Sequence, residues 1–275
     1  MISYVSTQPG SLPEMTVEGG YKFIYRMSWN VNPKRFSLRD ILILYHEPMQ
    51  SRAPEQHYQG AEGAAYHQVK RGVPERTIPW IAALRAKKLQ PHINVGDTVF
   101  EFGVGSGWNL ARLNCREKAG YDISEWVEQE VRNAGIEFSN SLSPFSNRKF
   151  DVVISHHSLE HLLNPAEALG QMHQLLAPGG KLLLFVPFEK ERRYRSWDPE
   201  EPNHHLYSWN AQTLGNLVQE SRFNVKSISV QRFGYERRAA SITHRFGLCE
   251  FGFRTIHRML HLVRPAYEIR CLATP

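Results

Sequence analysis

Five histidines and three acids in this chain stand at spacings that could do chemistry. His156, His157, Glu160 and His161 lie together in "SHHSLEH", and His204 and His205 follow in "PNHHLYSW". In a helical turn His157, Glu160 and His161 occupy i, i+3 and i+4, and so share one face. Imidazole is the usual proton acceptor near neutral pH. Imidazoles with a carboxylate also suit a divalent cation, which would orient vicinal hydroxyls and lower a hydroxyl pKa. Three readings stay open. His157 or His205, with His161 beside them, serves as a general base without metal; His157, Glu160, His161 and His205 form a metal site; or the histidines only support their loops.

The other chemical stretch is "VFEFGVGSGWNL", residues 99 to 110. An apolar run ends in Glu101, and Gly103, Gly105 and Gly107 alternate after it. A dinucleotide turn needs G-x-G-x-x-G, with the last glycine letting helix and strand pack closely. Trp108 stands at that position and is too bulky for the role. A carboxylate at Glu101 suits a cationic ligand group and repels a pyrophosphate. Asp122 comes 21 residues after Glu101 and is placed to accept hydrogen bonds from two ribose hydroxyls.

These residues need elements to hold them. "DTVFEF", "AGYDIS", "FDVVIS" and "KLLLFVP" read as short apolar strands. "TIPWIAALRAKK" reads as a helix with Pro79 in its first turn, "SGWNLARLNCREK" as a helix, and "EWVEQEVRNAG" as a helix closed by Gly135. Asn164, Pro165 and Glu167 form an N-cap, a first-turn proline and a third-position acid. Pro178, Gly179 and Gly180 turn the chain into the next strand. Strand and helix alternate with short connections, which predicts an α/β fold with a mostly parallel, doubly wound sheet. Residues 1–72 are read as an irregular N-terminal cap, with eight of the sixteen prolines before residue 95. "RDILILYHE" is a strand or short helix there, and "QSRAPEQHYQGAEG" is polar loop.

In this order the motifs resemble the class I S-adenosylmethionine-dependent methyltransferases of the small-molecule type. "VFEFGVGSGWNL" is similar to the family's first motif and "GYDIS" to its ribose-binding acid. "FDVVISHHSLEHLLNP" resembles the fourth-strand motif, and "LLAPGGKLLLFVP" the segment into the fifth strand. "HHLYSWNAQTLGNLVQESRFNV" resembles the following helix and strand. The resemblance implies a Rossmann-like sheet with an antiparallel last strand and S-adenosylmethionine as cofactor. It implies that Glu101 fixes the ammonium, that Gly103, Gly105 and Gly107 let the backbone approach, and that Asp122 holds the ribose. Ser155 ends the fourth strand beside the cofactor, and Ser141 and Leu142 flank the adenine. The acid usual in that region is missing from "FSNSLSPF". An E-x-x-E-H…H arrangement binds a divalent ion in small-RNA 2′-O-methyltransferases, but His157 stands where that pattern has its first Glu.

From Arg222 onward there are ten Lys and Arg against three acids, so this segment carries +7 of a net +6 and the rest sums to −1. Residues 235–264 form a helical insertion before the last strand, in a domain spanning 73–275. Cys249, Phe253, Ile256, Leu260 and Val263 step by 4, 3, 4 and 3, one apolar stripe of a helix. Its basic face is a solvated surface, a cover for an anionic acceptor, or a peripheral contact with a membrane carrying a lipid-linked acceptor. Nucleic acid is not expected, because no RNA-binding motif is found. The widely spaced Cys115, Cys249 and Cys271 favour neither a disulfide framework nor a zinc site, and a cytoplasmic location is expected. The sequence therefore points to methyl transfer onto a small-molecule hydroxyl, on a sugar or secondary metabolite. Tyr58, Tyr66 and Trp80 are candidates to close over that acceptor. RNA 2′-O-methylation, a nicotinamide-dependent oxidoreductase and a non-catalytic cofactor-binding protein are the rivals.

Overall fold

A computed structural model describes residues 3–4, 14–17, 21–24, 58–189, 196–197 and 203–275. The chain forms two units, Met1–Ser51 and Arg52–Pro275. In the first, β1 (Ser3–Tyr4), β2 (Glu14–Val17) and β3 (Tyr21–Ile24) make a small antiparallel sheet in that order. "RDILILYHE" lies outside the described residues.

The second unit begins with α1 (Gly60–Arg71), a regular helix that starts inside the stretch read as polar loop. Next comes α2 (Ile78–Leu89), with Pro79 in its first turn. The strands are β4 (Thr98–Phe102), β5 (Glu117–Tyr121), β6 (Glu137–Ser139), β7 (Phe150–His156), β8 (Leu176–Pro187), β9 (Asn224–Arg232) and β10 (Tyr267–Thr274), ordered β6-β5-β4-β7-β8-β10-β9. The first five are mutually parallel, and β10 runs antiparallel to both neighbours. This is a Rossmann-like sheet with an antiparallel last strand.

Side chains alternate across each strand, so β4 feeds two cores. Phe100 and Phe102 join Met172 and Leu214 on one face, where α4 (Pro165–Leu175) and α5 (Ala211–Glu220) pack. Val99 joins Leu89 and Val131 on the other, against α2 and α3 (Glu128–Asn133). Each such side chain contributes about 1.5–3 kcal/mol by leaving water. Asn164 caps α4 by accepting from the Glu167 amide, and Asn210 with Thr213 closes a capping box on α5.

Three expectations need correction. Residues 106–118 do not form a helix. Within that stretch Ala111 N–H donates to the Gly107 carbonyl at 2.9 Å, but Lys118 Nζ takes the Ala111 carbonyl and Asn109 turns back to Glu101. The Pro178–Gly180 turn is a bulge inside β8, where pairing jumps from Phe150↔Leu176 to Val152↔Lys181. The insertion is two helices, α6 (Glu236–Arg245) and α7 (Glu250–Val263). Of the apolar stripe, Phe253 is buried against Trp80, Ile81 and Trp108, with Ile256 and Leu260 beside it, whereas Cys249 and Val263 are exposed.

Candidate active site

The glycine turn follows β4 at the carboxyl edge of the sheet. Gly103, Gly105 and Gly107 have φ of +78°, +49° and +72°, a left-handed region that suits glycine. A Cβ at Gly103 would lie 2.6 Å from the Ser158 side chain, and one at Gly107 would meet Ile136 at 2.9 Å. Around a Cβ at Gly105 nothing among the described residues comes within 4 Å. Gly103 and Gly107 therefore let neighbours pack closely, while Gly105 faces open space.

Glu101 is fully buried on the α2 side of β4. Its Oε1 accepts a hydrogen bond from Asn109 Nδ2, and its Oε2 has no hydrogen-bond partner among the described residues. Burial pushes its pKa up to about 8, against the opposing pull of Asn109 and the Arg85 guanidinium. Asp122 Oδ2 accepts from Gly105 N at 2.8 Å and Oδ1 from Ser124 N at 3.0 Å, which pins the turn to the end of β5. Burial raises the Asp122 pKa, opposed by the Ser124 amide and by His67. His67, on α1, stacks on Trp126 with ring centroids 6.0 Å apart. Burial lowers its pKa, and Asp122 and Glu130 act against that.

The other predicted cofactor residues lie nearby. Ser155 is buried at the end of β7, with its hydroxyl 2.8 Å from that of Ser158. Ser141 is exposed and its Oγ accepts from Ser143 N, while Leu142 packs against the core. Asn140 donates to Glu125 Oε1 at 2.8 Å.

S-adenosylmethionine fits this turn on two observations: Glu101 Oε2, without a hydrogen-bond partner among the described residues, suits an ammonium, and no described atom lies within 4 Å of the place a Gly105 Cβ would take.

The histidines sort into two adjoining groups. His157 has a left-handed backbone, φ +55°, held by its N–H donating to the Phe185 carbonyl at 2.9 Å. Its ring lies between His156 and Phe233, at 4.6 and 4.5 Å. Nε2 sits 3.2 Å from Glu268 Oε2. Glu268, buried on β10, also accepts from Lys88 Nζ at 2.9 Å and Gln231 Nε2 at 2.6 Å. Lys88 Nζ lies 2.6 Å from His156 Nε2. Burial works to raise the Glu268 pKa, but the His157 hydrogen bond and the Lys88 charge outweigh it and hold the carboxyl low. Burial lowers the pKa values of His157, His156 and Lys88; Glu268 opposes it at His157 and Lys88, and the Lys88 charge adds to it at His156.

The second group centres on Glu160. His161 Nε2 is 3.8 Å and His157 Nδ1 is 3.9 Å from Glu160 Oε1. His161 Nδ1 is 2.8 Å from Tyr58 Oη, and His205 Nδ1 is 2.9 Å from Glu189 Oε1. The amides of Leu206 and Tyr207 donate to the Glu160 carbonyl at 2.9 and 3.3 Å, which docks the second histidine segment onto the first. Donor atoms of Glu160, His161 and His205 lie within 4.8 Å of one another. Tyr58 and Tyr66 pack edge to face beside them, whereas Trp80 packs on Phe253 in the core.

Lys88, Gln231, Glu268, Asn109, His67 and Glu189 escaped the sequence reading. The one legible signal was Glu268, an acid beside Ile269 in a strand that is apolar over most of its length.

A family model described as a methyltransferase domain matches residues 70–228, more than half of the chain. With the fold, the match shows that the chain belongs to the class I S-adenosylmethionine-dependent methyltransferases. The Mus musculus protein named "Probable tRNA methyltransferase 9B" is 28% identical over 162 residues, 54% of this chain and 35% of its own length. Part of an Emericella nidulans highly reducing polyketide synthase is 38% identical over 82 residues, 29% of this chain and 3% of that one. The chain thus spans about a third or less of the curated relatives it matches first. A solved structure named "Complex between the Haloferax volcanii Trm112 methyltransferase activator and the putative methyltransferase" matches at TM-score 0.51 and 19% identity, over 76% of this chain and 94% of that one, a likeness of fold.

Proposed function

We propose that this protein transfers the methyl group of S-adenosylmethionine to a hydroxyl of a small-molecule acceptor, a sugar or secondary metabolite, with His157 as general base. The observation that carries this reading is a buried chain of groups, Lys88–Glu268–His157, that ends one residue before Ser158. Ser158 in turn donates to the Phe102 carbonyl at 3.1 Å and lies against Gly103. The proton acceptor thus adjoins the cofactor turn.

When bound, the cofactor supplies an electrophilic methyl group whose bond to sulfur breaks as the acceptor oxygen attacks. The protein's task is then positioning and proton removal. Glu101 would take the ammonium and Asp122 the ribose, its oxygens keeping lone pairs beyond those used by the two amides. With Nε2–H donated to Glu268, the lone pair of His157 lies on Nδ1. Burial keeps this imidazole neutral and ready to accept a proton. Once protonated, it would be stabilised by Glu268 on one side and Glu160 on the other.

A second reading adds a divalent cation at Glu160, His161 and His205, with His157 at its edge. It is favoured by the remote ring nitrogens of His161 and His205, which already meet the oxygens of Tyr58 and Glu189, as metal-bound imidazoles usually do. Bound there, a cation would lower a hydroxyl pKa. RNA is the acceptor to weigh against small molecules, because a relative carries a tRNA methyltransferase name.

Residues 73–275 are read as the methyltransferase domain, 235–264 as its insertion, and 1–72 as an N-terminal segment, of which Tyr58 and His67 lie in the second unit and reach the site. Three unpaired thiols favour a cytoplasmic setting. Transfer of labelled methyl onto a panel of polyhydroxylated metabolites and tRNA, with and without chelator, tests the whole. The expected outcome is small-molecule labelling that survives chelation and falls at least about a hundredfold in His157→Ala. Undiminished labelling by that variant would remove the base, and labelling of tRNA alone would replace the acceptor class.

A further inference from the structure

The inner face of α7 is spent on the core, where Phe253 is fully buried. Its outer face is also apolar. Phe251 is 79% exposed, Leu262 73% and Val263 84%, with Met259 exposed between them and Phe246 and Leu248 just before the helix. At about 100° per residue, Phe251 and Leu262 stand on one meridian, Met259 and Val263 flank it, and Arg254 and Arg258 border the other side. A soluble helix normally turns its polar side outward. Six large apolar side chains exposed within one stretch call for a partner.

Charge selects among partners. Residues 235–264 hold six arginines against two glutamates, a net +4 with histidines neutral. Two copies of so positive a face would repel each other. A nucleic acid would meet the arginines but leave Phe251, Leu262 and Val263 without a counterpart. An anionic bilayer satisfies both features, with aromatic and aliphatic side chains entering the acyl boundary and arginines reaching headgroup phosphates. The helix is fourteen residues long, about 21 Å, too short to span a bilayer and suited to lying in its plane.

The position of this face also matters. β9 runs parallel to β8, so the chain leaves β9 for the insertion at the carboxyl edge of the sheet, the edge that carries the glycine turn and the histidines. Trp108 of the glycine turn packs in the same cluster as Phe253. We infer that α6 and α7 form a peripheral membrane-docking surface for anionic lipid bilayers, which brings the carboxyl edge of the sheet to the lipid surface. This inference stands independently of the base and the acceptor proposed above.

The test is co-sedimentation of the full chain with phosphatidylcholine vesicles, with and without phosphatidylglycerol. Strong binding to the anionic vesicles and weak binding to the neutral ones is expected. The double variant Phe251→Glu/Leu262→Glu should bind anionic vesicles at least about a hundredfold more weakly. Arg258→Gln with Arg264→Gln, the second exposed at the end of α7, should lose about thirtyfold, on anionic vesicles only. Val95→Glu, at an exposed apolar residue outside the insertion, should change nothing. Each variant is checked for native S-adenosylhomocysteine affinity and thermal midpoint, so that misfolding is recognised. The inference is overturned if the native chain ignores anionic vesicles, if the folded glutamate variant binds as well as native, or if the same substitutions dissolve a dimer that forms without lipid.

Discussion

Cofactor affinity should rise steeply with pH between 6 and 8, and Glu101 is the reason. Its carboxyl is pushed up to about 8 by burial at the end of β4, so it is mostly protonated at neutral pH in the ligand-free protein. An ammonium needs it ionised. Binding therefore releases a proton wherever the pH lies below about 8, and affinity climbs as the pH rises. The ionised fraction is about a hundredth at pH 6 and half at pH 8, which gives about a fiftyfold gain in affinity, or ~2.3 kcal/mol. Calorimetric titration with S-adenosylhomocysteine, in buffers of different ionisation enthalpy, reads both the affinity and the released proton. Glu101→Gln should bind weakly and lose the dependence. Because a raised carboxyl pKa makes ionisation destabilising, stability of the native chain should fall as pH rises from the ordinary carboxylate range toward 8, and Glu101→Gln should flatten that slope, with Asp122, also raised by burial, keeping its own share. The reasoning is refuted if native affinity changes less than about threefold over this range, or if protons are taken up on binding.

Three further outcomes follow from the same geometry. Glu268→Gln removes the charge that opposes burial at His157, so the acid limb of the pH–rate profile should move to lower pH and the plateau should drop about tenfold to a hundredfold; an unmoved limb would leave Glu268 a merely structural acid. Phe253→Ala should cost about 3–5 kcal/mol in denaturant unfolding, because its ring fills the cluster between α2 and α7. Gly103→Ala should lower stability through the Ser158 contact, whereas Gly105→Ala, whose Cβ has no described atom within 4 Å, should cost only about 1–2 kcal/mol of backbone strain yet lose cofactor binding.

The centre of the sheet was legible because β4, β7 and the second half of β8 are apolar runs that a parallel sheet buries on both faces. β4 is buried along its whole length. The alternating glycines after Glu101 and the Asn164–Pro165 start of α4 were legible because they depend on neighbours in the chain. Residues 106–118 were misread because helical propensity there competes with two contacts invisible locally, Asn109 to Glu101 and Lys118 to the Ala111 carbonyl. At the site, the histidine segments could be placed over one sheet edge from topology alone. The groups that fix their protonation could not, since Lys88 and Glu268 stand 68 and 111 residues from the histidines they hold. Only the register of β10 between β8 and β9 brings Glu268 opposite Gln231 and under His157.

The central claim is that the turn after Glu101 holds S-adenosylmethionine. Parallel titrations of the purified chain with S-adenosylhomocysteine and with NADH at pH 8 test it most directly. Micromolar binding of the first is expected, weakened at least about tenfold by Asp122→Ala, with no heat from the second. Binding of NADH, or no binding of S-adenosylhomocysteine by a chain with a cooperative thermal transition, would contradict it.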